Sequence, residues 1–294
     1  MTKTTTRGRL PDRIVTAPAA RREVVLDAIH SAQSRIAVSL FRCTDKALFG
    51  ELAAAVDRGV DVQVLVTSRA KGGKKKLKKL WNRLEETRAS IVPYTDPVVK
   101  YHAKYLVVDD GPALLTSMNF TRKCFDNTCD AVAVTYDPAI VEGLRQLMAT
   151  DREGGIAPST LPDRLIVGPE RARRQFTALV QQARKSIQII DAKMSDPGLI
   201  DLLNQRKAQG INVEIFGQKR LGTLLSHGKM MLVDGSRAVV GSLALTALSL
   251  DFRREVALVV EEPAAVAELD QLFRSIGAAV SATDTPSAAT AGGA

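Results

Sequence analysis

The chain has three histidines, and two of them open the same short pattern. The first copy reads His102-Ala-Lys104 and reaches Asp109 seven residues after its histidine; the second reads His227-Gly-Lys229 and reaches Asp234 at the same spacing. A histidine beside a lysine suits phosphoryl chemistry. An imidazole ordinarily titrates near ~6.5, so at neutral pH one copy can attack phosphorus while the other donates a proton. On a strand, a lysine two residues on projects to the same face as its histidine, so both can meet one phosphate. The following turns carry Ser117 and Asn119 in the first copy and Ser242 in the second, expected to hold the phosphoryl oxygens. Asp130 and Glu255 each stand 28 residues beyond their own histidine and are assigned to accept the proton of its second ring nitrogen. Asp109 and Asp234, at odd spacing, fall on the opposite strand face and are read as turn-formers.

The elements that must position these residues are duplicated. From His102 onward the halves align without a gap at an offset of 125, which carries Thr121 onto Thr246, Asp126 onto Asp251 and Pro138 onto Pro263. Upstream the offset is 151, so that Asp12 meets Asp163, Ile36 meets Ile187 and Gly59 meets Gly210. The offsets differ by 26. The first half therefore holds about that many extra residues within Ser68 to Tyr94, a lysine-rich stretch with the only tryptophan, Trp81.

Apolar runs at 13–16, 36–41 and 60–67 read as strands, with helices between them closed by Asp45 as N-cap and Gly59 as stop. The motif itself reads as two strands, 104–108 and 113–116, around an Asp-Asp-Gly turn. Alternation of strands and helices predicts an α/β fold. The expected boundaries are a flexible 1–11, a first lobe over 12–150, a linker over 151–162, a second lobe over 163–277 and a disordered tail over 278–294.

A net charge of +9 and a pI near 9.6 favour an anionic partner, either nucleic acid or an acidic membrane surface. No apolar run is long enough to cross a bilayer, and the N-terminus has no signal-peptide core. Cys43, Cys124 and Cys129 form no CxxC pair and read as reduced core thiols, which together with the missing signal predicts a cytoplasmic protein. The run Lys71 to Lys79 is either a solvated helix face or a phosphate-attracting lip giving peripheral membrane contact; Trp81 inserts at headgroups, stacks on a base, or packs on the core.

On the doubled His-x-Lys-x4-Asp, the Gly241-Ser242 turn and the downstream acidic residues, the chain resembles the phospholipase D superfamily from about Asp12 to Arg274. The resemblance implies two αβα lobes about a pseudo-twofold axis, sharing one active site within a single chain. It implies a two-step phosphodiester exchange through a phosphohistidine, catalysed by His102, Lys104, His227, Lys229, Asp130 and Glu255. With two lysines to neutralise phosphate, no metal and no cofactor is expected. Ala244 stands where an asparagine is expected opposite Asn119, and Thr116 opposite Gly241, so the site is asymmetric and His102 is assigned as nucleophile. A phospholipid headgroup is the favoured substrate, a nucleic acid the alternative, and a catalytically silent phosphate-binding module the third reading. The membrane-anchored cardiolipin synthases of the superfamily usually carry N-terminal spans, and their absence weighs against that narrower assignment.

Overall fold

The computed structural model describes residues 10–69 and 74–283. In the first lobe the elements run β1 (Arg13–Val15), α1 (Pro18–His30), β2 (Arg35–Leu40), α2 (Lys46–Asp57), β3 (Asp61–Thr67), α3 (Lys74–Glu85), β4 (Ser90–Tyr94), β5 (Lys100–Tyr101), β6 (Tyr105–Val108), β7 (Ala113–Thr116), α4 (Arg122–Asn127), β8 (Thr128–Cys129), β9 (Val132–Thr135) and α5 (Pro138–Arg152). The second lobe has β10 (Leu165–Val167), α6 (Ala172–Gln182), β11 (Ser186–Ile190), α7 (Pro197–Ala208), β12 (Asn212–Phe216), β13 (Arg220–Leu221), β14 (Leu224–Ser226), β15 (Met230–Val233), β16 (Arg237–Gly241), α8 (Ala247–Phe252), β17 (Arg253–Arg254), β18 (Val256–Val260) and α9 (Pro263–Thr283).

The duplication is visible in the sheets. The first is ordered β1-β9-β7-β6-β2-β3-β4 and the second β10-β18-β16-β15-β11-β12. Each strand of the second sits where its duplicate sits in the first, and β4 alone has no counterpart. The extra residues of the first half are thus α3 and β4, an edge strand added parallel to β3. The expected parallel crossovers are present as β2 with β3 and β11 with β12.

Local chemistry repeats with the same fidelity. Asp45 caps α2 by accepting from the Leu48 amide at 3.1 Å, and Asp196 caps α7 through Leu199 at 3.0 Å. Gly59 (φ +85°) and Gly210 (φ +88°) end those helices in the left-handed region that a side chain disfavours. Arg22 ties Asp45 to Asp126 of α4, and its duplicate Arg173 ties Asp196 to Asp251 of α8. Asp109 accepts backbone N–H bonds from Gln33, Ser34 and Arg35 at 2.8 to 2.9 Å, and Asp234 accepts from Arg184, Lys185 and Ser186 at 2.7 to 3.0 Å. These motif aspartates clamp the starts of β2 and β11 from the turns.

The lobes share one core. Leu144 and Leu147 of α5, Tyr105 and Leu115 of the first sheet, Leu232 and Leu258 of the second, and Leu269 and Phe273 of α9 belong to a single buried cluster. Each outer sheet face has its own cluster, beneath α1 to α4 in the first lobe and α6 to α8 in the second. Burying such a side chain is worth about 1.5–3 kcal/mol, so the face-to-face packing belongs to the folding of both lobes.

Several expected boundaries move. Asp151 and Arg152 are the last turn of α5 rather than linker, and Asp151 is buried against Arg254 at 2.7 Å. The tail expected from 278 is helical to Thr283 because α9 continues; residues 284–294, like 1–9, lie outside the described residues. So does Lys71, while Lys74 to Lys79 form the first turns of α3. Trp81 is half-buried and packs on the outer core of the first lobe, the third of the roles expected for it. Cys43, Cys124 and Cys129 are buried free thiols, and His30 is exposed beside Glu51. Among the described residues no helix is long and apolar enough to cross a membrane.

Candidate active site

Two short parallel strand pairs stitch the lobes together at the motifs. β17 of the second lobe pairs with β5, which leads into His102; β14, which leads into His227, pairs with β8 of the first lobe. The His102 amide donates to the Arg254 carbonyl at 2.9 Å and the Gly228 amide to the Cys129 carbonyl at 2.8 Å. Each motif histidine therefore follows a strand hydrogen-bonded to the segment that carries the other lobe's acidic residue. Neither histidine lies on a strand, as β6 starts at Tyr105 and β15 at Met230. The lysines come back to the histidines through these bends: Lys104 Nζ lies 3.1 Å from His102 Nδ1 and bonds the His102 carbonyl, and Lys229 bonds that of His227.

The carboxylates are exchanged between lobes. His227 Nδ1 lies 3.0 and 3.1 Å from the two oxygens of Asp130, and His102 Nδ1 contacts the carboxylate of Glu255. The assignment of each acid to its own histidine is thus corrected. Because the lobes meet face to face with their motif loops interleaved, each acid lies nearer the duplicate's imidazole than its own.

Both carboxylates are fully buried and their backbones are anchored by buried arginines. Arg21 donates to the carbonyls of Asp130 and Phe125, each at 2.9 Å. Arg254, next to Glu255, donates to Asp151, to the Gly168 carbonyl and to Glu170. Asp130 is further braced by Ser117 Oγ at 2.6 Å and by the Thr128 hydroxyl. Ser117 also receives the Ala131 amide at 3.0 Å, and Ser242 likewise receives the Val256 amide at 3.1 Å. Both serines are completely buried, so the expectation that they bind phosphate is corrected: they fasten the strand that carries each acid. Asn119 is nearly buried, with its Oδ1 unpartnered. Ala244 occupies the duplicate position and is buried.

Burial and crowding of cations set the electrostatics. His102 is held well below the ordinary imidazole value, first by burial and then by Lys104, Lys229, Arg253 and Lys193. Burial also lowers His227, opposed by Asp130 and reinforced by Lys229 and Lys104. Each lysine acts on both imidazoles, so the four groups share one basin. Burial depresses Lys104 well below the usual ammonium value, against the pull of Glu255. Asp130 stays below the usual carboxylate value despite its burial, because His227, Lys229 and Ser117 favour its charge; burial raises Glu255. Lys104, Lys229, Lys193 and Arg253 crowd the imidazoles, with the carboxylates of Asp130, Glu255 and Asp191 among them, so basic side chains outnumber acidic ones.

Beside Arg21 and Arg254, four more contributors are not marked by the motif spacing. Lys193 is the duplicate of Arg42, Arg253 of Thr128, and both act on His102. Thr128 braces Asp130, whereas Arg253 stands 3.9 Å from Glu255. Phe41 packs its ring edge on His102 with centroids 4.3 Å apart and lies 5.1 Å from Lys104 Nζ; its duplicate is Ala192. The duplication pattern could have flagged 42 and 193 as a basic pair. Among the described residues one trio, Cys124, Asp130 and His227, brings potential metal-ligating atoms within 4.8 Å. Both oxygens of Asp130 in that trio are already hydrogen-bonded, to Ser117, Thr128 and His227, and the arrangement serves to orient His227.

The family model described as "Cardiolipin synthase, PLD-like domain" matches residues 25–152 and 216–276, well over half of the chain. Cardiolipin synthase A of Pseudomonas entomophila is 31% identical over 127 residues, 43% of this chain and 26% of that protein. Cardiolipin synthase A of Pseudomonas putida GB-1 is 30% identical over 129 residues, 44% of this chain and 27% of that protein. The matches thus span about a quarter of the length of these relatives. The relatives that match are cardiolipin synthases, the narrower assignment disfavoured above. Two solved structures share the fold. Phosphatidylserine synthase of Haemophilus influenzae superposes with a TM-score of 0.73 at 14% identity, covering 92% of this chain and 87% of that one. Polyphosphate kinase of Porphyromonas gingivalis gives 0.74 at 19%, covering 90% of this chain and 46% of that one.

Proposed function

We propose that this chain, which belongs to the phospholipase D superfamily, is a metal-independent phosphodiesterase that cleaves or exchanges the headgroup of a phospholipid through a covalent phosphohistidine. The observation that carries the reading is the exchanged pairing: His227 on Asp130 and His102 on Glu255, with Lys104 and Lys229 acting on both imidazoles. Two half-sites would have no use for carboxylates from the opposite lobe.

In this mechanism Lys104, Lys229 and Lys193 hold the phosphate oxygens. His102, neutral and with Nδ1 engaged by Glu255, attacks phosphorus through Nε2. A P–N bond forms, the bond from phosphorus to the headgroup oxygen breaks, and that oxygen takes the proton of His227, whose positive charge Asp130 supports. The bound anion offsets the cations that depress His227 and so favours its protonated form. Water or an acceptor alcohol then gives its proton to His227 and attacks phosphorus, and the P–N bond breaks. Asp109 and Asp234 hold the turns and take no part. Lipid is favoured over nucleic acid by the cardiolipin synthase relatives. A peripheral position on the cytoplasmic membrane surface suits the net charge of +9.

Acid-quenched reaction with a labelled phosphodiester, followed by mapping of the phosphorylated residue, tests the reading. Label on His102, lost in His102→Ala and accumulating in His227→Ala, is expected; label on neither histidine refutes it. The exposed basic face of α3, with Lys75 and Lys78, favours nuclease activity as the second reading. Plasmid nicking that weakens steeply with salt, without headgroup release from liposomes, would establish it instead.

A further inference from the structure

A groove of about 390 Å³ opens beside His102, walled by α2 and the inserted α3. Its floor is apolar: Phe41, Phe49, Leu77 and Leu80 line it, and Phe41 is the ring whose edge rests on the His102 imidazole. Its rim is cationic, with Lys46, Lys76, Lys79 and Arg83, and none of the described residues that line it is acidic. The second lobe lacks α3 and β4, and Ala192 replaces Phe41. Phe41, which lines the groove and packs on His102, joins this apolar, basic-edged space to the side of the proposed nucleophile.

We infer that this groove holds the hydrocarbon side of an anionic phospholipid, keeping the phosphatidyl portion in place while it is bonded to His102 and the headgroup departs toward the second lobe. The inference rests on the proposed function and adds to it a direction and a chain-recognition site. An alkyl chain leaving a phosphate at His102 passes Phe41 first and then runs between Phe49 and Leu77. The rim lysines face the anionic lipids around the entry. Retention on this side follows from the chemistry: the half of the substrate that stays covalently bound needs a cradle, and the leaving alcohol needs an open path.

The test is a series of p-nitrophenyl alkyl phosphodiesters, ethyl to octyl, kept below micelle-forming concentrations. Turnover per unit concentration should rise about two- to four-fold per methylene until the groove is filled. Leu77→Ser, a half-buried position on α3, should collapse the octyl-to-ethyl ratio several-fold. Binding is read independently through the fluorescence of Trp81, on α3, as octyl phosphate or ethyl phosphate is titrated. Octyl phosphate should bind more tightly, and Leu77→Ser should remove the difference. Equal binding of the two phosphates, or a chain-length ratio untouched by Leu77→Ser, overturns the groove. Selective octyl binding with no hydrolysis of any ester would uphold the groove and defeat the phosphodiesterase reading. A flat alkyl series with strong preference for a nucleoside p-nitrophenyl phosphate would overturn the lipid occupant in favour of a base on Phe41.

Discussion

Asp130→Asn should separate the two steps of the reaction. Asp130 accepts from Ser117 and the Thr128 hydroxyl and pairs with His227 at 3.0 to 3.1 Å. The amide keeps the shape but loses the charge, and its NH2 group must face one of those donors. His227 then loses the partner that supports its protonated form. Positioned acid-base catalysis is worth about 10²–10⁴-fold, or about 2.7–5.4 kcal/mol of barrier. With bis(p-nitrophenyl) phosphate the leaving phenolate needs little protonation. In stopped flow, Asp130→Asn should therefore release one nitrophenolate per site at near-normal rate and then stall, since water in the second step still needs its proton removed. With an alkyl leaving group both phases should slow by the full factor. Glu255→Gln, which disarms His102, should slow the burst itself. A burst abolished by Asp130→Asn and spared by Glu255→Gln would reverse the roles, and equal effects on both phases would refute the division of labour.

Other outcomes follow from the same geometry. His102→Ala should give no burst and His227→Ala a burst without turnover, checked in the same assay, while chelators leave the parent rate intact in a steady-state measurement. Because Asp130 raises the His227 pKa, Asp130→Asn should lower it further. The proton-donating form then disappears sooner as pH rises, and for an ester with an alkyl leaving group the basic limb of kcat/KM moves to lower pH in a pH-rate profile. Burial pushes the Asp109 carboxyl up, but hydrogen bonds from Arg35, Gln33 and Ser34 outweigh it and hold it at about 2. Stability from that depressed value is present above the unfolded carboxylate range and is lost as pH falls from about 4 toward 2. Asp109→Asn should cost about 1 kcal/mol at pH 7 after solvent screening, and much less at pH 2.5, by urea midpoint. Gly228→Ala would set a Cβ 2.5 Å from the Cys129 carbonyl oxygen. It should cost about 1–3 kcal/mol and displace His227, whereas Ala103→Gly at the duplicate position should cost about 0.5–1 kcal/mol with activity kept, by thermal melts and ester turnover.

Much of this architecture was legible because duplication writes each signal twice. Asp45 and Asp196 as caps, Gly59 and Gly210 as stops, and the in-register motifs identify the lobes and their equivalence. Which lobe's acid serves which histidine was not legible. A spacing of 28 residues is the same in both halves, so within-lobe and between-lobe pairing look identical in the chain. Only the interleaving of β5 with β17 and of β14 with β8 decides between them. Ser117 was misread for a related reason. A serine after a motif strand can face a ligand or its own sheet, and the buried Asp130 wins it. Arg253 stayed hidden because its duplicate, Thr128, differs from it in chemistry, whereas Arg42 and Lys193 repeat a basic residue outside the motif.

Those differences matter more than the repeats. A perfectly twofold site would give His102 and His227 the same partner and field, with no reason for either to attack. Here Thr128 and Ser117 brace Asp130 with neutral donors and keep it ionised beside His227, which suits an imidazole that must carry a proton. At the duplicate position Arg253 brings a cation toward Glu255, and with Lys193 it adds to the field on His102, which suits an imidazole that must stay neutral. Phe41 and the inserted α3 then make the His102 side the apolar one. Charge and shape were altered at different positions of the two halves, yet both changes favour attack from the same lobe. That agreement makes the assignment of His102 stronger than either asymmetry alone, and an exchange of Thr128 for Arg together with Arg253 for Thr should weaken it by evening the two fields.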